Sequence, residues 1–309
     1  MDVSGRTRIV GIFGDPVTHS LSPSMHNAAF RALRLDYLYV AFHVLPTQLR
    51  RAVAGIRALD LVGVNITVPH KQRVMIMLDS VGARAQRAGA VNTIINRGGQ
   101  LHGENTDIDG FLRAVGAAQV ELRGARVLLV GAGGAARGAL AGLGEAGVSA
   151  VTVVNRTPQR ARQLAAAMGR CGASATAAPL SALRDRVLLG NTDLVVNATS
   201  LGLAGEPFFQ MEYAATPDHC VFFDLIYGKR TDFLTRAARA RRRCIDGGDM
   251  LVHQGAAAFT LWTGRRPSIR VMATALQSAA RASQKRVELT TRGGLSSVTS
   301  GVKRGHVRG

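Results

Sequence analysis

The segment Gly131-Ala132-Gly133-Gly134-Ala135-Ala136 constrains this chain more than any other. The apolar run Ala125 to Val130 precedes it and reads as a buried strand. A helical stretch over about 134–146 follows, and Ala150 to Val154 reads as the next strand. Two strands joined through a helix run parallel, because a tight hairpin cannot connect them. The first glycine permits the sharp turn, the second lets the backbone approach a pyrophosphate, and the small Ala136 lets the helix pack on the strand. The helix N-terminus then offers free N–H groups and a positive dipole end to phosphates. The alternation continues with a helix from Pro158 to Met168 and strands at Leu194 to Asn197, Cys220 to Asp224 and Arg243 to Asp246. Such alternation predicts an α/β fold with a parallel sheet.

The second strand of that unit ends at Asn155-Arg156-Thr157-Pro158. A carboxylate at this point would bind a free ribose 2′-hydroxyl; here Asn155 and Arg156 stand instead, with Arg160 one turn into a helix that Thr157 caps. Two guanidiniums beside a helix N-terminus suit a 2′-phosphate, which predicts NADP rather than NAD. The alternative is that both arginines are simply solvated.

The first third alternates as well. Strands are expected at Arg8 to Phe13 and Leu38 to Val44. Ser22 with Pro23 after it marks a helix start running to about Arg34, and Pro46 opens a helix to about Leu59. Further helical stretches are expected at about 71–78 and 82–88. Val91 to Asn96 and Gln100 to Gly103 read as two strands joined by Arg97-Gly98-Gly99. Between these lies 63–71, Gly-Val-Asn-Ile-Thr-Val-Pro-His-Lys. Val64, Ile66 and Val68 alternate with Asn65 and Thr67, the period of a strand with one apolar face. Pro69 ends the strand and Lys71 follows. The polar face is either solvated or part of a ligand site at a strand end.

Composition bounds the partners. The 309 residues carry a formal charge of +19, which suits attraction to anions. From Arg281 onward there are seven Lys or Arg against the single acid Glu288, in a stretch without periodicity that predicts a basic, disordered tail over 284–309. No aromatic residues interleave the basic clusters, so a nucleic-acid platform is not expected. Cys171, Cys220 and Cys244 show no metal spacing and suit reduced thiols in the cytoplasm. No metal site is expected: His19, His26, His70 and His102 lack ligand spacing. No secretory signal is apparent, and the apolar stretch near 125–154 is broken by Arg137 and Glu145, which argues against a membrane span.

Five further segments stand out: Gly14-Asp-Pro-Val-Thr-His-Ser-Leu-Ser-Pro-Ser-Met-His-Asn27, Gly89-Ala-Val-Asn-Thr93, Gly103-Glu-Asn-Thr-Asp-Ile-Asp-Gly110, Asn197-Ala-Thr-Ser-Leu-Gly-Leu203 and a helical stretch from Gly248 to Gly264. Together with 63–71 and 131–138, in this order, they resemble shikimate dehydrogenase from about residue 9 to about 280. The resemblance implies reversible, NADP-dependent reduction of 3-dehydroshikimate to shikimate, a step toward chorismate and the aromatic amino acids. It implies an N-terminal α/β substrate-binding domain over 1–106, a Rossmann-type NADP domain over 107–246, and C-terminal helices over 247–283 that return to the first domain.

Carried over by position, the resemblance makes Lys71 and Asp107 the catalytic pair and Ser20 and Ser22 the carboxylate ligands. Asn65, Thr67, Asn92, Asp107 and Gln254 would hold the ring hydroxyls, with Tyr227 close by. Gly131, Gly133, Gly134, Ala135, Asn155, Arg156, Thr157 and Arg160 would bind NADP, with Thr199 and Gly247 near the nicotinamide. Lysine suits the role, since a cation stabilises the oxyanion that hydride delivery creates and can supply its proton. Asp109 reads as a helix-start residue, and Met75, Met77 and Trp262 as packing. Gly228-Lys229 departs from the Asn-Pro pair common in the family. A quinate or aminoshikimate dehydrogenase is the nearest rival, and a non-catalytic NADP-binding regulator using the basic tail is the rival of another class. A homodimer or a monomer fits equally.

Overall fold

The structure, a computed structural model, describes residues 3–168 and 174–294. Among these, the strands form two six-stranded sheets. The first has the order β2-β1-β3-β5-β6-β4, from β1 (Arg8–Gly14), β2 (Tyr37–His43), β3 (Gly63–Ile66), β4 (Ser80–Val81), β5 (Thr93–Arg97) and β6 (Gln100–Glu104). Strands β2, β1 and β3 are parallel, joined through helices α1 (Ser22–Ala32) and α2 (Leu49–Ala58). Strand β5 runs antiparallel to β3 and returns as β6 through a hairpin. Its two central residues, Gly98 and Gly99, have φ of 58° and 87°, the left-handed pair that a two-residue hairpin turn demands.

The second sheet is parallel throughout, in the order β12-β11-β10-β7-β8-β9. It comprises β7 (Arg126–Val130), β8 (Ala150–Val154), β9 (Ser174–Ala178), β10 (Leu194–Asn197), β11 (Val221–Asp224) and β12 (Arg243–Ile245). Helices α3 (Ala83–Ala88), α4 (Asp107–Ala117), α5 (Gly134–Glu145), α6 (Pro158–Met168), α7 (Arg186–Gly190), α8 (Asp232–Arg239), α9 (Gly248–Thr263) and α10 (Ile269–Gly294) complete the chain. Strand order reverses between β7 and β10, so a crevice opens at their carboxyl ends, where such sheets hold ligands.

The last two helices complete the first sheet's core. Val252, Phe259 and Trp262 of α9 and Met272 and Leu276 of α10 pack with Val10, Met25, Phe30 and Tyr39. The Trp262 Nε1 also donates to the Ile94 carbonyl in β5 at 3.0 Å. Phe259 is fully buried in this cluster, so Phe259→Ala costs about 3–5 kcal/mol. Helix α4 packs between α5 and α9, and thereby joins the two sheets' helical layers.

Several expectations need correction. Ser22 does not cap α1: it is the first helical residue, and its N–H donates at 3.3 Å to the Ser20 hydroxyl. Helix α2 starts at Leu49, because Pro46 lies inside a turn closed from Gln48 N–H to the Leu45 carbonyl. The ladder of β3 stops at Ile66, and Val68 is exposed. In place of a helix over 71–78 there are turns and a 3-10 segment, Met75–Met77, since Ser80 and Val81 must leave as β4 to pair with β6. Helix α10 continues to Gly294, past the expected tail start at Gln284. Gln284, Lys285, Arg286, Glu288 and Leu289 are good helix formers, and no proline interrupts them. Residues 295–309 of the expected tail, and Cys171, lie outside the described residues.

Candidate active site

The site begins with Lys71, which follows the turn after β3. Its Nζ donates to Asp107 Oδ2 at 2.6 Å, and both side chains are nearly buried, at 11% and 7% exposure. Asp107 opens α4, where a carboxylate meets the positive end of the helix dipole. Its other oxygen, Oδ1, accepts from Asn92 Nδ2 at 2.8 Å. The carboxylate is therefore held at both oxygens and cannot rotate away from the ammonium. At such burial, deleting one partner strands the other's charge, a cost of about 3–5 kcal/mol.

Asn92 is the centre of a wider net. Its Oδ1 accepts the Thr106 N–H at 2.7 Å, and its Nδ2 reaches Thr106 Oγ1 at 3.0 Å and Gln254 Oε1 at 3.3 Å. Gln254 comes from α9, so the C-terminal helices close this side of the site. Gly110 makes the approach feasible: a Cβ there would lie 2.8 Å from Gln254 Cβ. Asn65 Nδ2 donates to the Asn92 carbonyl at 3.2 Å and to Thr93 Oγ1 at 3.0 Å. Tyr39 Oη donates to Asn65 Oδ1 at 2.8 Å, and the Ser22 hydroxyl is near enough to act against the rise of its pKa. Burial pushes the Tyr39 phenol well above its ordinary range, so it stays a neutral donor. A continuous hydrogen-bonded path thus runs from Tyr39 through Asn65 and Asn92 to Asp107 and Lys71.

Tyr227 joins the Ser20–Ser22 side. Burial raises its pKa, against the opposing influence of the Leu21 backbone. The Gly228-Lys229 departure has a local effect: Gly228 takes φ of 77°, and Lys229 Nζ donates to the Leu203 carbonyl. Thr67 is partly exposed; its N–H donates to the Phe13 carbonyl, and its methyl fills the space that Gly14 leaves.

The second cluster lies at the carboxyl ends of the parallel sheet. Gly131 takes φ of 117°, and a Cβ there would lie 2.8 Å from the Ala198 backbone, so only glycine fits between β7 and β10. A Cβ on Gly133 would meet nothing within 4 Å, which leaves room for a phosphate against the N-terminus of α5. Ala135 follows in that first turn. Asn155 Nδ2 donates to the Thr157 carbonyl at 3.0 Å, shaping the turn into α6. Arg156, Thr157 and Arg160 are exposed there, and among the described residues neither arginine has an ion pair. These features fit a dinucleotide with a 2′-phosphate.

Thr199 is held by Asn197, whose Oδ1 accepts both its N–H and its hydroxyl, at 3.0 and 2.7 Å. Asn197 in turn donates to the buried Asp224, which also accepts from Thr231 and the Ile226 N–H. Burial raises the Asp224 pKa in spite of these donors. The net fastens the loop after β10 to the loop after β11. Gly247 packs on the latter: a Cβ there would lie 2.3 Å from the Leu225 carbonyl.

Sequence reasoning missed Tyr39, Thr93, Thr106 and Asn197 as supports, and also Asn105, whose Oδ1 accepts the Asp107 N–H at 3.1 Å. The Asn-Thr dipeptides at 92–93 and 105–106 were the available signal. Tyr39 offered none, since it sits in a strand that reads as core. Asp109 starts α4 as expected and also pairs with Arg84 at 2.8 Å. Among the described residues no His, Cys, Asp and Glu cluster could hold a metal ion.

Residues 12–94 match the shikimate dehydrogenase substrate binding domain, residues 114–225 the shikimate / quinate 5-dehydrogenase family, and residues 247–277 the shikimate 5′-dehydrogenase C-terminal domain. The curated shikimate dehydrogenase (NADP(+)) of Symbiobacterium thermophilum is 46% identical over 282 residues, which is 89% of this chain and 95% of that protein. A solved structure of shikimate 5-dehydrogenase from Thermus thermophilus, in complex with NADP(H) and shikimate, is 39% identical with a TM-score of 0.78, over 88% of this chain and 99% of that one. Quinate dehydrogenase from Corynebacterium glutamicum, in complex with NAD, is 27% identical with a TM-score of 0.80, over 88% and 99% of the two chains.

Proposed function

The chain belongs to the shikimate dehydrogenase family, and we propose that Lys71 and Asp107 are the acid–base pair with which it interconverts 3-dehydroshikimate and shikimate. The observation that carries this reading is the buried 2.6 Å contact between an ammonium and a carboxylate fixed at both oxygens. A silent NADP-binding protein would have no need of such a pair.

The enzyme is an NADP-dependent oxidoreductase. When bound, NADPH supplies the hydride that reduces the ketone. Lys71 places positive charge where the oxygen becomes negative and gives up the proton that the alkoxide takes. Asp107 orients the ammonium, and Asn92 orients Asp107. In the oxidative direction the same nitrogen receives the proton. Ser20 and Ser22, with Tyr227 beside them, form the carboxylate end of the substrate site. Asn65, Thr67, Asn92 and Gln254 form its hydroxyl-binding wall. Gly131, Gly133, Gly134, Ala135, Asn155, Arg156, Thr157 and Arg160 form the cofactor cradle, with Thr199 and Gly247 at its nicotinamide end.

The first sheet, completed by α9 and α10, is the substrate side, and the parallel sheet is the cofactor side. The free Cys220 and Cys244 support a cytoplasmic location, and no described helix is long and apolar enough to cross a membrane. A spectrophotometric assay with shikimate and quinate, each against NADP and NAD, tests the function. The highest kcat/KM is expected with shikimate and NADP. A preference for quinate with NAD would transfer the protein to the rival reading that the Corynebacterium structure represents.

A further inference from the structure

The glycines of the cofactor loop and its helix do not all face the cofactor. A Cβ on Gly133 would meet open space, but one on Gly134 would lie 2.8 Å from both Cβ and Cδ of Lys71. One turn on, a Cβ at Gly138 would lie 2.8 Å from Asp107 Cβ. At Gly142 it would lie 3.1 Å from Phe111 Cδ1. Carbon atoms in ordinary contact stand about 3.5–4.0 Å apart, so the first two positions have no room for a methyl group.

The spacing explains the pattern. Gly134, Gly138 and Gly142 recur every fourth residue and so lie along one face of α5. Asp107 and Phe111 recur in the same way along α4. The two stripes meet where α4 and α5 pack, and Lys71 continues the line at the N-terminal end of α5. At Gly134 and at Gly138 one of the atoms met at 2.8 Å is a Cβ, one bond from the backbone. A side-chain tip could swing aside, whereas a Cβ moves only with its chain.

We propose that Gly134 and Gly138 are positioning residues for the catalytic pair: their missing side chains set how closely α5 approaches, and hence where the Lys71 ammonium and the Asp107 carboxylate stand. The inference rests on the reading of that pair as catalytic. It divides the glycine motif between two tasks. Gly133 leaves space for the cofactor, Gly134 serves the cofactor through its backbone and Lys71 through its missing Cβ, and Gly138 serves the pair alone. One rigid helix then registers the hydride source and the acid against each other, with phosphates at its N-terminus and the pair along its side.

The test compares Gly133→Ala, Gly134→Ala and Gly138→Ala, with Gly55→Ala in α2, where a Cβ meets nothing, as control. NADP Kd is read by nucleotide fluorescence, and kcat and KM by the shikimate assay. Gly134→Ala and Gly138→Ala are expected to lower kcat by about tenfold to a hundredfold, the effect of displacing reacting groups by a fraction of an ångström to one ångström. The NADP Kd of Gly138→Ala stays within about twofold, while that of Gly133→Ala rises; Gly134, whose backbone also belongs to the cofactor cradle, is read by kcat at saturating NADP. In an Asp107→Asn background, where turnover is already impaired, Gly138→Ala is expected to cost little more, a non-additivity that a merely structural defect would not produce.

The inference is overturned if either alanine variant keeps kcat within about twofold, or loses turnover only in step with NADP affinity. Should Gly138→Ala fail to fold, Gly134→Ala in the first turn of α5 gives the same reading. A Lys71→Ala enzyme with near-normal turnover would instead defeat the assignment of the pair itself, so the two failures are distinguishable.

Discussion

Lys71 Nζ and Asp107 Oδ2 meet at 2.6 Å although 36 residues separate them in the chain. The fold makes this contact in two steps. The turn after β3 delivers the lysine, and the turn after β6 delivers the aspartate at the start of α4. Asn92, at the entry to β5 between them, ties the far carboxylate oxygen and the turn that carries it.

Asn92→Ala should therefore act on turnover through Asp107. It removes the bond to Asp107 Oδ1 and the acceptor of the Thr106 N–H, both buried. Stability is expected to fall by about 2–4 kcal/mol, from two lost bonds with buried groups left unpaired. Urea unfolding checks this. NADP affinity, measured separately, is expected to stay unchanged while kcat falls; loss of NADP binding with kcat intact would contradict the role.

Arg156 governs cofactor choice if it meets the 2′-phosphate. It is exposed and has no acidic partner among the described residues. Arg156→Ala should lower the NADP-over-NAD ratio of kcat/KM by about tenfold or more, since a charge-assisted contact to phosphate is lost. Rates with NAD should barely change. An unaltered ratio would leave the arginine a solvated side chain.

His26 should make the protein acid-sensitive. The ring is fully buried, stacked on Tyr39 at 4.3 Å, and neither nitrogen has a hydrogen-bond partner. Burial lowers its pKa from 6.5 to about 3. The folded state keeps it neutral while the unfolded state takes up a proton below pH 6.5. Its contribution is thus intact above about 6.5 and declines by about 1.4 kcal/mol per pH unit as pH falls toward 3. Unfolding of His26→Phe across this range is expected to show a shallower pH dependence. Parallel curves for the two proteins would rule the histidine out.

The parallel sheet and its glycine turn were legible in the sequence because β7, β8, β10 and β11 are largely apolar, buried runs and a helical pattern joins β7 to β8. Strand β9 was not, since Ser174 to Ala178 is a small, largely exposed edge segment with no apolar signal. The two-residue β4 and the short α7 are too brief for periodicity to register. Helix α8 is marked by its Thr231 cap, which only the structure reveals, along with the bond from Thr231 to Asp224. At the site, the types of Lys71, Asn92, Asp107 and Gln254 were readable, and their convergence came with the family resemblance. The roles of Tyr39 and of Gly138 depend on what packs against them, which no local pattern encodes.

Turnover of Lys71→Ala, measured beside direct binding of shikimate and NADP, tests the acid–base assignment most directly. With the ammonium gone, kcat should fall by about 10²–10⁴-fold, the range for a positioned proton donor, while both ligands bind within a few-fold of the parent protein. Asp107→Asn, which keeps the shape of the site, should show a fall in the same direction. A Lys71→Ala enzyme that retains kcat within about threefold, with its ligands bound, would contradict the assignment.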